Sequence, residues 1–532
     1  MRGILSSTAC ASCGSTTVAD ATAIPSPLPD HVGTNYVPSS SEANLIRSTL
    51  SQVQCNISLL DHESDRLRAM LDRVSHNRKT LLKFSAEYQA LLSPTRCLPP
   101  EVLAEIFYYC SPENWIDDNP HDKRATMLSS HVCRLWRQVA LSMPRLWSSL
   151  SLEIRTANYE SSLSLAKSWL SRSGGCPLKL RILCFDRSRN LQFLVDTILP
   201  LCHRWQNLYI VVLFAEIDDF VAAIGHVPRL EMLDLSVLDS PDFLTTRPLP
   251  VRIFESAPKL RSVCLSDGII PHGVQLPWDQ LTEFRVGLCG VYDCLEALTW
   301  LPNLVKFGVD LAIVKTPPSG AIHHIIQLPH LTTMTLFPRV NPGYFFDHLA
   351  LPSLADFEYY DEVGCTWKQR QFISLLLRSS CSLRRLCLAA PRSMKEHHLI
   401  QVLEHTPDLR ELHVAPLSMS SSALARLTRQ TTNNENAPCL VTKLHTFKIF
   451  HQLHLDAEAF ADMIESRWRL EDDTLNSSSG SKHSVSRIHT VQVTCARLCV
   501  DAIAPSTLVR FREFARGGLA MQFADEDDSP LL

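Results

Sequence analysis

Pro329-His330-Leu331-Thr332-Thr333-Met334-Thr335-Leu336 reads P-x-L-x-x-L-x-L. Its second half alternates apolar and polar residues, as a strand with one covered face does. The proline cannot continue a helix and presets a turn. The template recurs as Pro228, Leu230, Leu233, Leu235; as Pro258, Leu260, Val263, Leu265; and as Pro302, Leu304, Phe307, Val309. Pro352, Leu354, Phe357, Tyr359 and Pro407, Leu409, Leu412, Val414 complete the set with proline. Versions without it are Trp205, Leu208, Ile210; Leu281, Phe284, Val286; Leu383, Leu386, Leu388; Leu444, Phe447, Ile449; and Ile488, Val491, Val493. Apolar triplets alone arise often by chance, but demanding the proline lowers the expectation to about one, against six present.

From Leu230 to Leu409 the repeats start 21 to 30 residues apart. Helical stretches precede several of them: Leu194 to Trp205, Ala321 to Gln327, Phe372 to Arg378 and Leu399 to His405. One such unit cannot bury its apolar face alone, whereas stacked units bury a continuous core and leave a parallel sheet on one side. The alternate positions then line that sheet: Asp234, Ser266, Glu283, Arg285, Lys306, Thr333, Thr335, Glu358, Arg385, Glu411, His413 and Lys448. They are mostly polar, so the sequence expects an exposed face, either simply solvated or facing a substrate. The pattern resembles degenerate leucine-rich repeats, without their fixed asparagine. The fold class expected is α+β or α/β: a long N-terminal helix, a small helical segment and then, over residues 151–522, a solenoid with a curved parallel sheet, closed by a helix over Thr507 to Met521.

Residues 1–43 are rich in Ser, Thr, Ala and Pro and read as a disordered leader. Ile46, Leu50, Val53, Ile57, Leu60, Leu67, Leu71, Val74, Leu81, Tyr88 and Leu92 then fall on alternating steps of four and three, with Ser64, Arg78 and Ser85 at the remaining seam positions. This heptad seam, free of Pro and Gly, predicts a long helix over 44–93. It either self-associates through residues 46–92 or packs on its own protein. Ser93-Pro94 ends it.

A short helical segment, 94–150, follows. Leu98-Pro99-Pro100-Glu101 opens a helix with proline in its first turn, and Val102, Leu103, Ile106 and Phe107 give it an apolar face. A polar loop over Ser111 to Asp122 leads to a second helix carrying Leu128, Val132, Leu135, Trp136 and Val139. Pro144 stops it, and Leu150, Leu152 and Ile154 alternate as a strand. The three stretches Leu98 to Phe107, Val132 to Ala140 and Pro144 to Trp147 resemble an F-box, most of all the F-box-like family abundant in fungi. The chain departs from the short F-box in its longer first loop. The resemblance implies binding of a Skp-type adaptor, and through it a cullin scaffold, by Leu98, Pro99, Pro100, Leu103, Ile106, Phe107, Val132, Cys133 and Trp136. The repeat domain would then take an unknown protein substrate, facing Asp234, Glu283, Arg285, Thr333, Thr335, Glu358, Arg385, Glu411 and His413. The alternative is a non-catalytic scaffold that uses the repeats and the coiled coil without ubiquitin machinery.

The 532 residues are 45% hydrophobic and 20% charged, with a formal net charge of −4, which supplies no electrostatic case for nucleic acid or an acidic membrane. The 18 cysteines are scattered among apolar neighbours, as in Cys184, Cys264, Cys387 and Cys499, and read as reduced thiols of an intracellular, cytoplasmic or nuclear protein. Cys10 and Cys13 form a C-x-x-C with no second ligand pair, so no metal or other cofactor is expected. The pairs His323-His324 and His397-His398 point apart on a helix. The last residues, 523–532, read as an acidic tail. No phosphate loop, nucleophile elbow or metalloprotease motif is present, and the chain does not read as an enzyme.

Overall fold

A computed structural model of the chain describes residues 6–9, 16–20, 24–110, 127–184, 194–213, 226–238, 253–266, 269–312, 324–389, 393–415, 419–429, 439–452, 456–469, 486–495 and 503–525. The chain divides into two compact units, Met1–Val102 and Leu103–Leu532.

In the first unit, a hairpin of Ser6–Ala9 and Thr16–Asp20 precedes a 52-residue helix, α1 (Ser40–Leu91). The helix starts earlier than the heptads suggest because a capping box precedes them. Ser39 Oγ accepts from the Glu42 amide, and the Glu42 carboxylate accepts from the Ser39 N–H at 2.8 Å. Glu63 holds Arg66 at 2.7 Å and Asp65 holds Arg68 at 3.2 Å, each one turn apart. No residue of α1 is buried. Ser26, Pro27, Leu28, His31, Val32, Tyr36 and Pro38 share a pocket with Ile46, Thr49, Leu50 and Val53.

Helix α2 (Pro100–Tyr109) follows, its residues from Leu103 on belonging to the second unit. The single helix expected after it is two pieces, residues 127–132 and Arg134–Leu141. Cys133 between them is extended, and its Sγ accepts from the Trp136 amide at 3.5 Å, so it caps a new helix instead of continuing the old one. The expected loop over Ser111 to Asp122 lies outside the described residues.

Beyond Pro144–Trp147, a one-turn 3-10 segment, the described residues form one sheet of 14 strands from Ser149–Ile154 to Ala520–Asp525. Each strand pairs parallel to the next in chain order. The register puts the repeated apolar positions side by side. Leu233, Val263, Phe284, Phe307, Met334, Phe357, Leu386, Leu412, Phe447 and Val491 make one continuous row. Leu235, Leu265, Val286, Val309, Leu336, Tyr359, Leu388, Val414, Ile449 and Val493 make the next. Both rows are buried, as are the leading leucines Leu230, Leu260, Leu304, Leu331, Leu354 and Leu409. The template proline has a defined task. Backbone N–H groups of Leu230, Leu260, Leu304, Leu331, Leu354 and Leu409 each bond the carbonyl three residues back, which puts the proline second in a four-residue turn.

The connections depart from expectation in places. Leu194 to Trp205 is a π turn, Leu194–Ile198, followed by a 3-10 segment, Leu199–Arg204, because Pro200 cannot supply an interior helix hydrogen bond. Of Ala321 to Gln327, the described part ends in an extended pair, Ile326–Gln327, bonded to Leu349–Ala350. Phe372 to Arg378 and Leu399 to His405 do lie in or at the end of helices, Gln369–Ser379 and Glu396–Glu404. The closing helix is shorter, Pro505–Arg516. Gly517 and Gly518, the latter at φ +96°, end it, and Ala520–Asp525 becomes a strand that takes in the start of the expected tail.

Candidate functional site

Two surfaces of the second unit carry side chains that the sequence singles out. The first is the short helical segment. Leu103 and Phe107 of α2 are buried, and the Phe107 ring meets Trp136 at 4.9 Å. Trp147 Nε1 donates to the Ala140 carbonyl at 2.8 Å and its ring meets Trp169 edge-on at 4.7 Å, which locks the segment's end. With these anchors turned inward, other apolar side chains are left outside: Ile106, Tyr109, Leu128, Val132 (61% exposed) and Leu135. Leu103 and Phe107 thus hold the helix, while Ile106 and Val132 face solvent, as Cys133 does; Trp136 is half-buried. In the first unit, Leu98 is half-buried and Pro99 and Pro100 are exposed.

The second surface is the polar face of the sheet. Parallel pairing stacks Thr333, Asp356, Arg385 and Glu411 in one row and Thr335, Glu358, Cys387, His413 and Lys448 in the next. Arg385 Nη1 contacts both carboxylate oxygens of Asp356 at 3.0 Å and Glu358 Oε1 at 2.5 Å, and its Nε lies 3.7 Å from Glu411 Oε2. Three carboxylates therefore surround one guanidinium. Burial raises the Asp356 carboxyl above its usual range even though Arg385 pulls it down. Thr335 Oγ1 donates to Glu358 at 3.2 Å. Beside this cluster Phe337 stacks on Tyr360 at 5.0 Å, and the Arg285 guanidinium lies over Phe337 at 5.6 Å. Farther along the sheet, Lys306 pairs with Glu283 at 2.6 Å.

The sequence expects these positions on an exposed face, and the structure refines that. Asp234, Ser266, Glu283, Thr333, Thr335, Glu358, Arg385, Glu411 and Lys448 are half-buried, while Arg285 and Lys306 are exposed. His413 is a correction. It is only 8% exposed, its Nε2 has no hydrogen-bond partner, and burial beside Lys448 and Arg385 lowers its pKa to about 4. The ring stands between Cys387 and Lys448 of the adjoining strands, and that stacking has no signature in a one-letter pattern.

Sequence reasoning also missed three arginines that clamp backbone carbonyls between successive units. Arg204 bonds the Cys176 carbonyl and Ser173 Oγ, and Arg378 bonds the Phe346 and Leu349 carbonyls. Arg467, fully buried, bonds the carbonyls of Leu427, Leu440 and Val441. A lone arginine on a helix gives no sequence signal for such a role.

Among the described residues no cluster of His, Cys, Asp or Glu is arranged to hold a metal ion, and no helix is long and apolar enough to cross a membrane. His398 Nδ1 accepts from the Lys395 amide at 3.1 Å as a helix cap. Cys10, Cys13, His323 and Cys499 lie outside the described residues.

No family model matches the chain, and no curated protein matches it. Among solved structures, a chain of the yeast Rad7 and Elc1 complex is 13% identical, covering 72% of this chain and 96% of that one with a TM-score of 0.30. Likeness at that level carries no argument about this protein.

Proposed function

We propose that the chain is a non-enzymatic substrate receptor of a cullin-based ubiquitin ligase of the SCF type, acting in the cytoplasm or nucleus. Its F-box-like segment docks a Skp-type adaptor. Its sheet, the concave side of a leucine-rich-repeat-like solenoid, takes a protein substrate, and the ligase chemistry belongs to other subunits. The observation that carries this reading is the set of apolar side chains, Ile106, Tyr109, Leu128, Val132 and Leu135, exposed on a short module whose own core is already filled by Leu103, Phe107 and Trp147. Exposed apolar surface of that kind marks a protein contact. Arg385 and its three carboxylates suit a polar polypeptide better than a small apolar ligand.

The test is binding of purified adaptor to the full chain and to Ile106→Asp and Val132→Asp. Loss of a central apolar anchor costs about 2 kcal/mol or more, roughly thirtyfold in affinity, with unfolding of the second unit unchanged. A wild-type chain that fails to bind the adaptor ends this reading. The scaffold alternative then stands, and the apolar seam of α1, exposed from Leu67 onward, favours it.

A further inference from the structure

Helix α1 is 52 residues long, about 78 Å, and buries none of its own side chains. Leu50, Ile57, Leu67, Leu71, Val74, Leu81, Tyr88 and Leu92 are all more than 40% exposed, and all lie on the one seam. Helices in water draw most of their stability from packing of an apolar face. This helix therefore has a stability deficit that a partner helix of matching period would fill.

We infer that the partner is a second copy of this chain, paired antiparallel through α1. Taking the seam as heptad positions a and d, the a positions are Leu50, Ile57, Ser64, Leu71, Arg78, Ser85 and Leu92, and the d positions run from Ile46 to Tyr88. A parallel dimer stacks each a residue on its own copy. It would put Arg78 against Arg78 and Ser64 against Ser64 at the seam, the first a repulsion between like charges in a dry layer. An antiparallel dimer layers a against d. With the helices centred on one another, Ser64 meets Leu67, Arg78 meets Val53 and Ser85 meets Ile46, so no two polar seam residues face each other. Ile57 meets Val74 and Leu60 meets Leu71.

Charge selects the same register. Antiparallel pairing brings flanking e positions face to face, and these include Asp61 and Arg68. The centred register pairs Asp61 of each copy with Arg68 of the other. Sliding by one heptad in one direction sets Asp61 on Asp61, and in the other direction Arg68 on Arg68. The register of greatest overlap is thus also the one of opposite charges. The segment from Ser26 to Pro38 lines a pocket with Ile46, Thr49, Leu50 and Val53, the strand Thr16–Asp20 also touches α1, and Leu60 and Ser64 are half-buried, whereas every seam residue from Leu67 onward is exposed.

The experiment is sedimentation equilibrium of the full-length chain and its charge variants, with thermal unfolding of each as a control. Wild type sediments as a concentration-dependent dimer. Leu60→Asp with Leu71→Asp sediments as monomer, with unfolding of the second unit unchanged. Asp61→Arg and Arg68→Asp each weaken the dimer, roughly fivefold or more since two symmetric pairs turn repulsive, and the double exchange restores it. In a parallel coil Arg68 would face Glu63 and Asp61 would face Asn56, so the double exchange would fail to restore. That outcome, or a wild-type monomer at all concentrations, overturns the inference.

Discussion

His413 shows how much one side chain's surroundings matter. Its folded pKa of about 4 lies below the ordinary 6.5, so folding favours the neutral ring. The stability this provides is complete above about pH 6.5 and is lost as pH falls through the window to about 4. Replacing His413 with Gln should flatten the fall in unfolding free energy across that window, as followed by urea titrations at several pH values. An unchanged slope would show that the imidazole titrates normally. Asp356, raised by burial, contributes with the opposite sign, and the comparison with the variant separates the two. Arg467 makes a second residue-scale prediction. Arg467→Met leaves the carbonyls of Leu427, Leu440 and Val441 without their donor, at a cost of about 2 kcal/mol or more. Denaturant midpoints would reveal it, and a neutral result would mean that water replaces the guanidinium.

A single repeat behaves as a strand whose two faces tolerate opposite things. Leu331, Met334 and Leu336 are fully buried, while Thr333 and Thr335 on the other face are half-buried between Lys306 and Asp356 or beside Glu358. Leu331→Asp should cost several kcal/mol because it buries an unpaired charge. Thr333→Asp should cost less than about 1 kcal/mol, since Lys306 stands next in register and offsets the new charge near Asp356. Denaturation of the two variants in parallel tests this, and equal losses would contradict the assignment of faces.

The second unit is stabilised repeat by repeat, each strand bonded to the next in chain order. Its last layer, the helix Pro505–Arg516 and the strand Ala520–Asp525, covers Phe460 with Phe511 at 6.2 Å, and Phe511 packs on Phe523 at 5.7 Å. Deleting residues 503–532 would uncover Phe460 and leave the Thr490–Cys495 strand as a bare edge. The truncated chain should unfold at lower temperature and aggregate through that edge, as light scattering during a thermal ramp would report. Unchanged melting and solubility would show that this layer is dispensable.

Much of this fold was legible in the residue string because its rules are local. A proline second in a turn, a leading leucine and an alternating triplet act within eight residues, and these placed the strands and named their buried members. The same holds for α1, whose period and lack of Pro or Gly lie within one segment. Tertiary structure decided what depends on neighbours distant in sequence. Arg385 meets Asp356 and Glu411 only because loop lengths set adjacent strands in register, 26 to 29 residues apart. The same stacking buries His413, aims Arg467 at the carbonyls before it, and turns Ala520–Asp525 into a strand by offering it an edge to join. Hydrogen bonds across a parallel sheet have no local period, so no pattern in the string announces them.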